Sequence, residues 1–141
     1  VPATEHECLA EAIYFESRNQ SSAGMVGVAQ VILNRVEDTR FPDTICSVVR
    51  QGRLSDPIDA PVQIGQCQFS FYCNGEPETI DDEPAWETAK RKAAHAYYLY
   101  DLGYDFTESA THYHADSVSP SWADTLVHVT QIDNHIFYRW E

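Results

Sequence analysis

At 141 residues, 43% of them hydrophobic and with three Trp, eight Tyr and six Phe, the chain is long enough to bury the core of a single domain spanning residues 1–141, without help from metals or many disulfides. Nine Lys and Arg against 22 Asp and Glu give a net charge of −13, which repels phosphate backbones and anionic lipid, so neither nucleic acid nor a membrane is an expected partner. No apolar run of about 18 residues or more occurs, and nothing after Val1 reads as an export signal.

In chain order, Thr4-Glu-His-Glu7 has the spacing of a capping box and predicts a helix running to about Arg18. Cys8, Leu9, Ala12 and Ile13 form one side of that helix, and Glu16 projects from the same side one turn later, whereas Glu11 lies opposite, in water. An inward carboxylate loses hydration and its pKa rises, as a general acid near neutral pH requires. Two readings of Glu16 stand at this point: a general acid, or a buried structural carboxylate held by Arg18 or Arg35.

Asn19-Gln-Ser-Ser is a polar turn, and the nearly unbroken apolar stretch from Ala23 to Val36 predicts a helix at the buried centre of the domain. Phe41-Pro42-Asp43 breaks the chain, and Thr44 to Arg50 reads as a short helix stopped by Gly52. Residues 51–66, with Pro57, Pro61 and Gly65, read as a surface loop. Gln66 to Cys73 alternates polar with aromatic residues and ends in Asn74-Gly75, predicting a strand or hairpin arm. Asp81 to Glu83 and Pro84 introduce a helix from about Ala85 to Leu102, with Trp86, Ala89, Ala93, Ala96, Tyr97 and Tyr100 inward and Lys90-Arg91-Lys92 solvated. Thr111 to Ala115 reads as a strand and Ser119 to Trp122 as a loop or single turn. Leu126–Ile132 and His135–Trp140 flank Asp133-Asn134 as a closing hairpin. The predicted class is α+β, mainly helical, with a small antiparallel β-sheet.

Several groups of side chains could carry chemistry. Cys8, Cys46, Cys67 and Cys73 allow three disulfide pairings and suit an oxidising compartment, with four reduced, buried thiols in a cytosolic protein as the alternative. They lack the close spacing of a zinc site. Gln68, Ser70 and Tyr72 share one face of their segment, which could hydrogen-bond a sugar or could be an ordinary strand edge. His112 and His114 lie at i, i+2 and His135 opens the last strand, but no third metal ligand is apparent. Structural or substrate-binding histidines are therefore expected, with no metal or other cofactor. Asp116, Asp124 and Asp133 are candidate second carboxylates for glycoside cleavage that no motif places. No G-x-S-x-G elbow supports serine catalysis.

Six separated segments together resemble the SleB-type cell wall hydrolase family. They are Cys8–Arg18 (CLAEAIYFESR), Gly27–Val36 (GVAQVILNRV), Phe41–Cys46 (FPDTIC), Cys67–Gly75 (CQFSFYCNG), Ala110–Ala115 (ATHYHA) and His135–Arg139 (HIFYR). The resemblance implies a lysozyme-like, mainly helical fold acting on peptidoglycan glycan strands, with Glu16 as the catalytic acid. One motif-placed carboxylate favours a lytic transglycosylase that cleaves between N-acetylmuramic acid and N-acetylglucosamine over a two-carboxylate lysozyme. Substrate contacts are expected from Gln68, Ser70, Tyr113 and Tyr138, together with His112 and His135. Two rival readings are a zinc-dependent N-acetylmuramoyl-L-alanine amidase using His112 and His114, and a non-catalytic glycan-binding module. The expected disulfides are Cys8–Cys46, between the first and third helices, and Cys67–Cys73, closing a short loop. A monomer acting at the cell wall, extracellular or periplasmic, of bacterial origin or phage-encoded as an endolysin, completes the expectation.

Overall fold

The computed structural model describes residues 3–51, 69–73 and 79–141. Helix α1 (Ala3–Ser17) begins earlier than the capping-box spacing predicts. Thr4 lies inside the helix and so cannot be an N-cap, which needs extended backbone. Glu5, on the same first turn, instead receives the Cys46 N–H at 3.0 Å. Burial also exceeds a single apolar stripe. Cys8, Leu9, Ala12 and Ile13 are buried as expected, and Ala10 and Tyr14 are buried as well, because α1 packs against three other helices at once. Glu11 is half-buried within 4.0 Å of Arg50, rather than freely solvated.

Helix α2 (Ser22–Glu37) is capped by Ser21, whose hydroxyl accepts from the Gly24 N–H at 3.2 Å, and every residue from Gly24 to Arg35 is buried. It is the central element the apolar run predicts. Helix α3 (Ile45–Val49) starts at the Thr44 cap, and α4 (Glu83–Asp101) starts at Asp82 with Pro84 in its first turn. Ala89, Ala93 and Ala96 are the buried residues of α4, and their small side chains let it lie close to α1 and α2. Cys8 and Cys46 form a disulfide that joins α1 to α3. The second expected pair, Cys67–Cys73, falls outside the described residues, as do the 52–66 loop and Gln68.

The aromatic segment is not a strand where it is described. Ser70–Cys73 forms a 3₁₀ turn in which the Tyr72 N–H bonds the Phe69 carbonyl at 3.1 Å. Phe69 and Phe71 are both buried, and Phe71 stacks on Phe15 of α1 with centroids 4.9 Å apart. The alternation therefore marks two rings anchored in one helical core, with the backbone bonded locally rather than to a neighbouring strand.

Strands β1 (His112–Ala115), β2 (Val127–Ile132) and β3 (His135–Arg139) form an antiparallel sheet in the order β1-β3-β2. Asp133, at φ 54°, turns the β2–β3 hairpin at the predicted dipeptide. Paired residues share a sheet face, so the register His112↔Tyr138 and Tyr113↔Phe137 separates two sets of side chains. Tyr113, His135 and Phe137 face the helices. His112, His114 and Tyr138 face outward, beneath Trp122 of a second 3₁₀ turn, Ser121–Thr125. Gly27 lets the sheet sit this close, because a Cβ there would meet the Phe137 ring at 3.0 Å.

Candidate active site

Glu16 occupies the last turn of α1, where the helix meets the sheet. A cavity of about 310 Å³ opens beside it, lined by Glu16, Arg35, Phe69, Tyr113, Val118 and His135, with His114 and Ala115 along the β1 edge. Three helical turns and the sheet thus bring together residues almost 120 positions apart in the chain.

The Tyr113 hydroxyl donates to Glu16 Oε1 at 2.6 Å. Desolvation by the surrounding protein raises the Glu16 pKa, and the Tyr113 hydrogen bond, which favours the ionised form, opposes that rise without cancelling it. Tyr113 itself is held neutral. Its burial, followed by the Glu16 charge, pushes its pKa well up. The second carboxylate oxygen of Glu16 is not the one Tyr113 engages, and it remains for the cavity.

Of the two arginines considered as partners for Glu16, Arg18 donates to the Tyr14 hydroxyl at 2.6 Å and lies over that ring. Arg35 donates through Nε to the Thr111 carbonyl at 2.7 Å and lies over the rings of Phe41 and Phe69. Burial lowers the Arg35 pKa to about 10, so the guanidinium keeps its charge at neutral pH and places a cation at the cavity wall. Arg35 and Phe69 were not among the expected site residues. An arginine inside an otherwise apolar helix was the available signal, since a buried cation needs a reason to be there.

The expected substrate-contacting residues divide. Tyr113 and His135 join Glu16 in the cavity, whereas His112 and Tyr138 lie on the opposite face of the sheet, because strand residues two apart share a face and neighbours do not. His112 accepts or donates at Nδ1 with the Thr111 hydroxyl, 3.0 Å away, and burial lowers its pKa to about 4. His114 Nδ1 lies 2.7 Å from the Ala115 carbonyl and must donate there, so in the neutral ring Nε2 accepts from the Tyr138 hydroxyl at 2.9 Å. Gln68 lies outside the described residues, and for Ser70 only the backbone is described.

No candidate second carboxylate lines the cavity among the described residues. Asp133 accepts from Ser21 N and Oγ at 2.9 and 2.6 Å, which holds its pKa down and ties the hairpin to the start of α2. Asp116 accepts from Gln131, and Asp124 is exposed on the 3₁₀ turn. The one described cluster of metal-type side chains is Glu5, Cys8 and Cys46, whose sulfurs are joined to each other as a disulfide and offer no thiolate. A larger cavity of about 480 Å³, between α2, α3 and α4, is rimmed by the exposed carboxylates Glu37, Asp43 and Asp101 and contains no part of the Glu16 cluster.

The family profile described as Cell Wall Hydrolase matches residues 19–138. The chain belongs to the cell wall hydrolase family. The matched residues begin after Glu16, so the placement of Glu16 rests on the geometry above and on wider similarities. The chain is 30% identical over 134 residues to a spore cortex-lytic enzyme of Bacillus cereus, covering 94% of this chain and 43% of that protein. It is 29% identical over 134 residues to a spore cortex-lytic enzyme of Oceanobacillus iheyensis, covering 94% and 41%. The chain thus spans less than half the length of these relatives.

Among solved structures, the catalytic domain of the Bacillus cereus SleB protein superposes with a TM-score of 0.71 at 28% identity, covering 99% of this chain and 95% of that one. The catalytic domain of the germination-specific lytic transglycosylase SleB from Bacillus anthracis does so with a TM-score of 0.68 at 28% identity, covering 99% and 97%. Both superpositions extend over α1 and hence over the Glu16 helix. The fold is that of the SleB catalytic domain within the cell wall hydrolase family, α+β and mainly helical.

Proposed function

We propose that this cell wall hydrolase domain cleaves peptidoglycan glycan strands between N-acetylmuramic acid and N-acetylglucosamine as a lytic transglycosylase, with Glu16 as acid and then base. The observation that carries the proposal is a desolvated glutamate with a raised pKa, the one carboxylate among the described residues of its cavity. A carboxyl whose pKa burial raises keeps its proton to higher pH than an exposed one and can donate it to the glycosidic oxygen as the bond to C1 breaks. The resulting carboxylate then takes the proton of the muramic C6 hydroxyl, whose oxygen bonds to C1. The two proton transfers balance, and Glu16 ends protonated. Tyr113, donating to Oε1, steadies the carboxylate between the two steps and fixes the rotamer that presents the other oxygen to the sugar.

Similarity to a domain described as a germination-specific lytic transglycosylase supports this chemistry, as does similarity along almost the whole chain to spore cortex-lytic enzymes. Peptidoglycan glycan strands as the partner, a monomeric state and action at the cell wall belong to the same proposal. Digestion of purified peptidoglycan followed by mass spectrometry is the direct test, and fragments ending in 1,6-anhydromuramic acid are expected. Reducing ends would mean that water is the nucleophile, freed stem peptides would mean an amidase, and binding without product would mean a glycan-binding module. Glu16→Gln keeps the size of the side chain and removes the proton, so activity should fall by about 10² to 10⁴-fold in a folded variant.

A further inference from the structure

His135 is 7% exposed, lines the Glu16 cavity and lies with its ring centroid 4.9 Å from that of Tyr113. Its Nδ1 is sealed from solvent and has no hydrogen-bond partner among the described residues. Its Nε2 also makes no hydrogen bond there, but it is not sealed. A buried N–H without a partner is much rarer than a buried lone pair, so the ring hydrogen belongs on Nε2, the nitrogen that retains access. Burial lowers the His135 pKa, while Asp133 and Asp116 act to raise it and His114 to lower it, and the net result favours the neutral ring. His135 therefore offers one uncharged N–H donor with nothing in the described protein to receive it.

What would receive it follows from the rest of the wall. Phe69, Val118 and Ala115 are apolar, and Arg35 is a buried cation. A neutral acceptor oxygen next to a small apolar group fits both features, whereas a ligand ammonium would meet the Arg35 charge where little water screens it. We infer that His135 Nε2–H donates to the acetamido carbonyl of an N-acetylated sugar at the Glu16 cavity, and that His135 and Arg35 together make the site select N-acetylated over de-N-acetylated glycan. The inference rests on the glycan-cleaving reading of the cavity and adds a determinant of specificity to it.

The test is made by binding, so that it does not depend on cleavage. Long-range proton–nitrogen NMR of the whole domain, assigned with a His135→Gln variant, should find His135 neutral with its hydrogen on Nε2. Adding N-acetylglucosamine tetramer should shift that Nε2–H resonance, and adding glucosamine tetramer below its amine pKa should not. His135→Leu should weaken binding of the acetylated tetramer by roughly 2- to 10-fold, the usual effect of one neutral hydrogen bond, and His135→Gln, which keeps an N–H donor, should restore part of it. In cleavage assays the Leu variant should show the loss in KM more than in kcat, with less discrimination between acetylated and chemically de-N-acetylated peptidoglycan. A hydrogen on Nδ1, or equal NMR responses to the two tetramers, overturns the inference even if Glu16→Gln abolishes cleavage. Inactivity towards every peptidoglycan, with the tetramer response intact, instead overturns the transglycosylase reading and leaves His135 as a glycan-binding residue.

Discussion

At Glu16 two influences oppose each other, burial raising the pKa and the Tyr113 hydroxyl lowering it. Removing the hydroxyl leaves burial alone. Tyr113→Phe should therefore move the basic limb of the kcat/KM profile to higher pH, because the acid stays protonated longer. It should also lower kcat by about 10- to 100-fold, the usual loss for a hydrogen bond to a charged group. An unmoved basic limb in a folded variant would remove Tyr113 from the proposed machinery. Stability carries the opposite sign. A carboxyl whose folded pKa is raised above its ordinary value of 4.5 binds its proton more tightly in the native state than in the unfolded chain, so its contribution to stability declines as pH rises through the folded pKa. Glu16→Gln has no charge to desolvate, and calorimetry should find its Tm above that of the parent in mildly alkaline buffer, converging with it below that ordinary value. Activity and stability would then be exchanged at one position.

Between elements, the contact that sets the site is α2 against the sheet. Gly27 and Phe137 meet there, and the Phe137 ring packs beside both Tyr113 and His135, with centroids 5.8 and 6.4 Å away. Gly27→Ala adds a methyl 3.0 Å from Phe137 Cζ and 3.4 Å from Ile132 Cδ1. Alanine gains about 1 kcal/mol of helix propensity over glycine, but overpacking a full core costs about 1–3 kcal/mol. Denaturant titration should find a net loss of roughly 0 to 2 kcal/mol. Activity should fall by more than that loss accounts for, since displacing Phe137 on β3 shifts its paired neighbour Tyr113 on β1 away from Glu16. The helices themselves were legible: the apolar run of α2, the Thr44 turn and the Asp-Asp-Glu-Pro start of α4 all lie within a few residues of where the sequence puts them. The misread part of the aromatic segment was Ser70–Cys73, because alternating aromatics look the same whether they pair in a sheet or plug a helical core.

For the whole molecule, the Cys8–Cys46 bond closes 38 residues of sequence and holds α3 against α1. Cross-linking a loop of that size restricts the unfolded chain, and losing it costs about 2–4 kcal/mol. The double variant Cys8→Ser with Cys46→Ser should therefore melt roughly 10 °C lower and retain most of its kcat, because Cys8 lies about two helical turns before Glu16 on α1 and lines no part of its cavity. A collapse of kcat without loss of fold would mean that the disulfide positions the site as well as stabilising the domain. Against an overall charge of −13, the buried Arg35 guanidinium places a local positive charge at the cavity wall.

Much that depends on period and local chemistry could be read without coordinates. The helical repeat put Glu16 on an inward face, capping and turn residues marked most element ends, and the order of six motifs placed the chain in its family. What the linear chain could not state is which side chains meet. His112, Tyr113 and His114 are consecutive, yet only the register of β1 against β3 decides that Tyr113 reaches Glu16 while its neighbours turn outward. Whether Arg18 or Arg35 would hold Glu16 also depended on packing, and a tyrosine almost a hundred residues away supplies the described hydrogen bond. The reason is physical. Periodicity is a property of a few adjacent residues, whereas desolvation and hydrogen-bond pairing depend on distances between distant parts of the chain, and those exist only once the sheet has closed over α2.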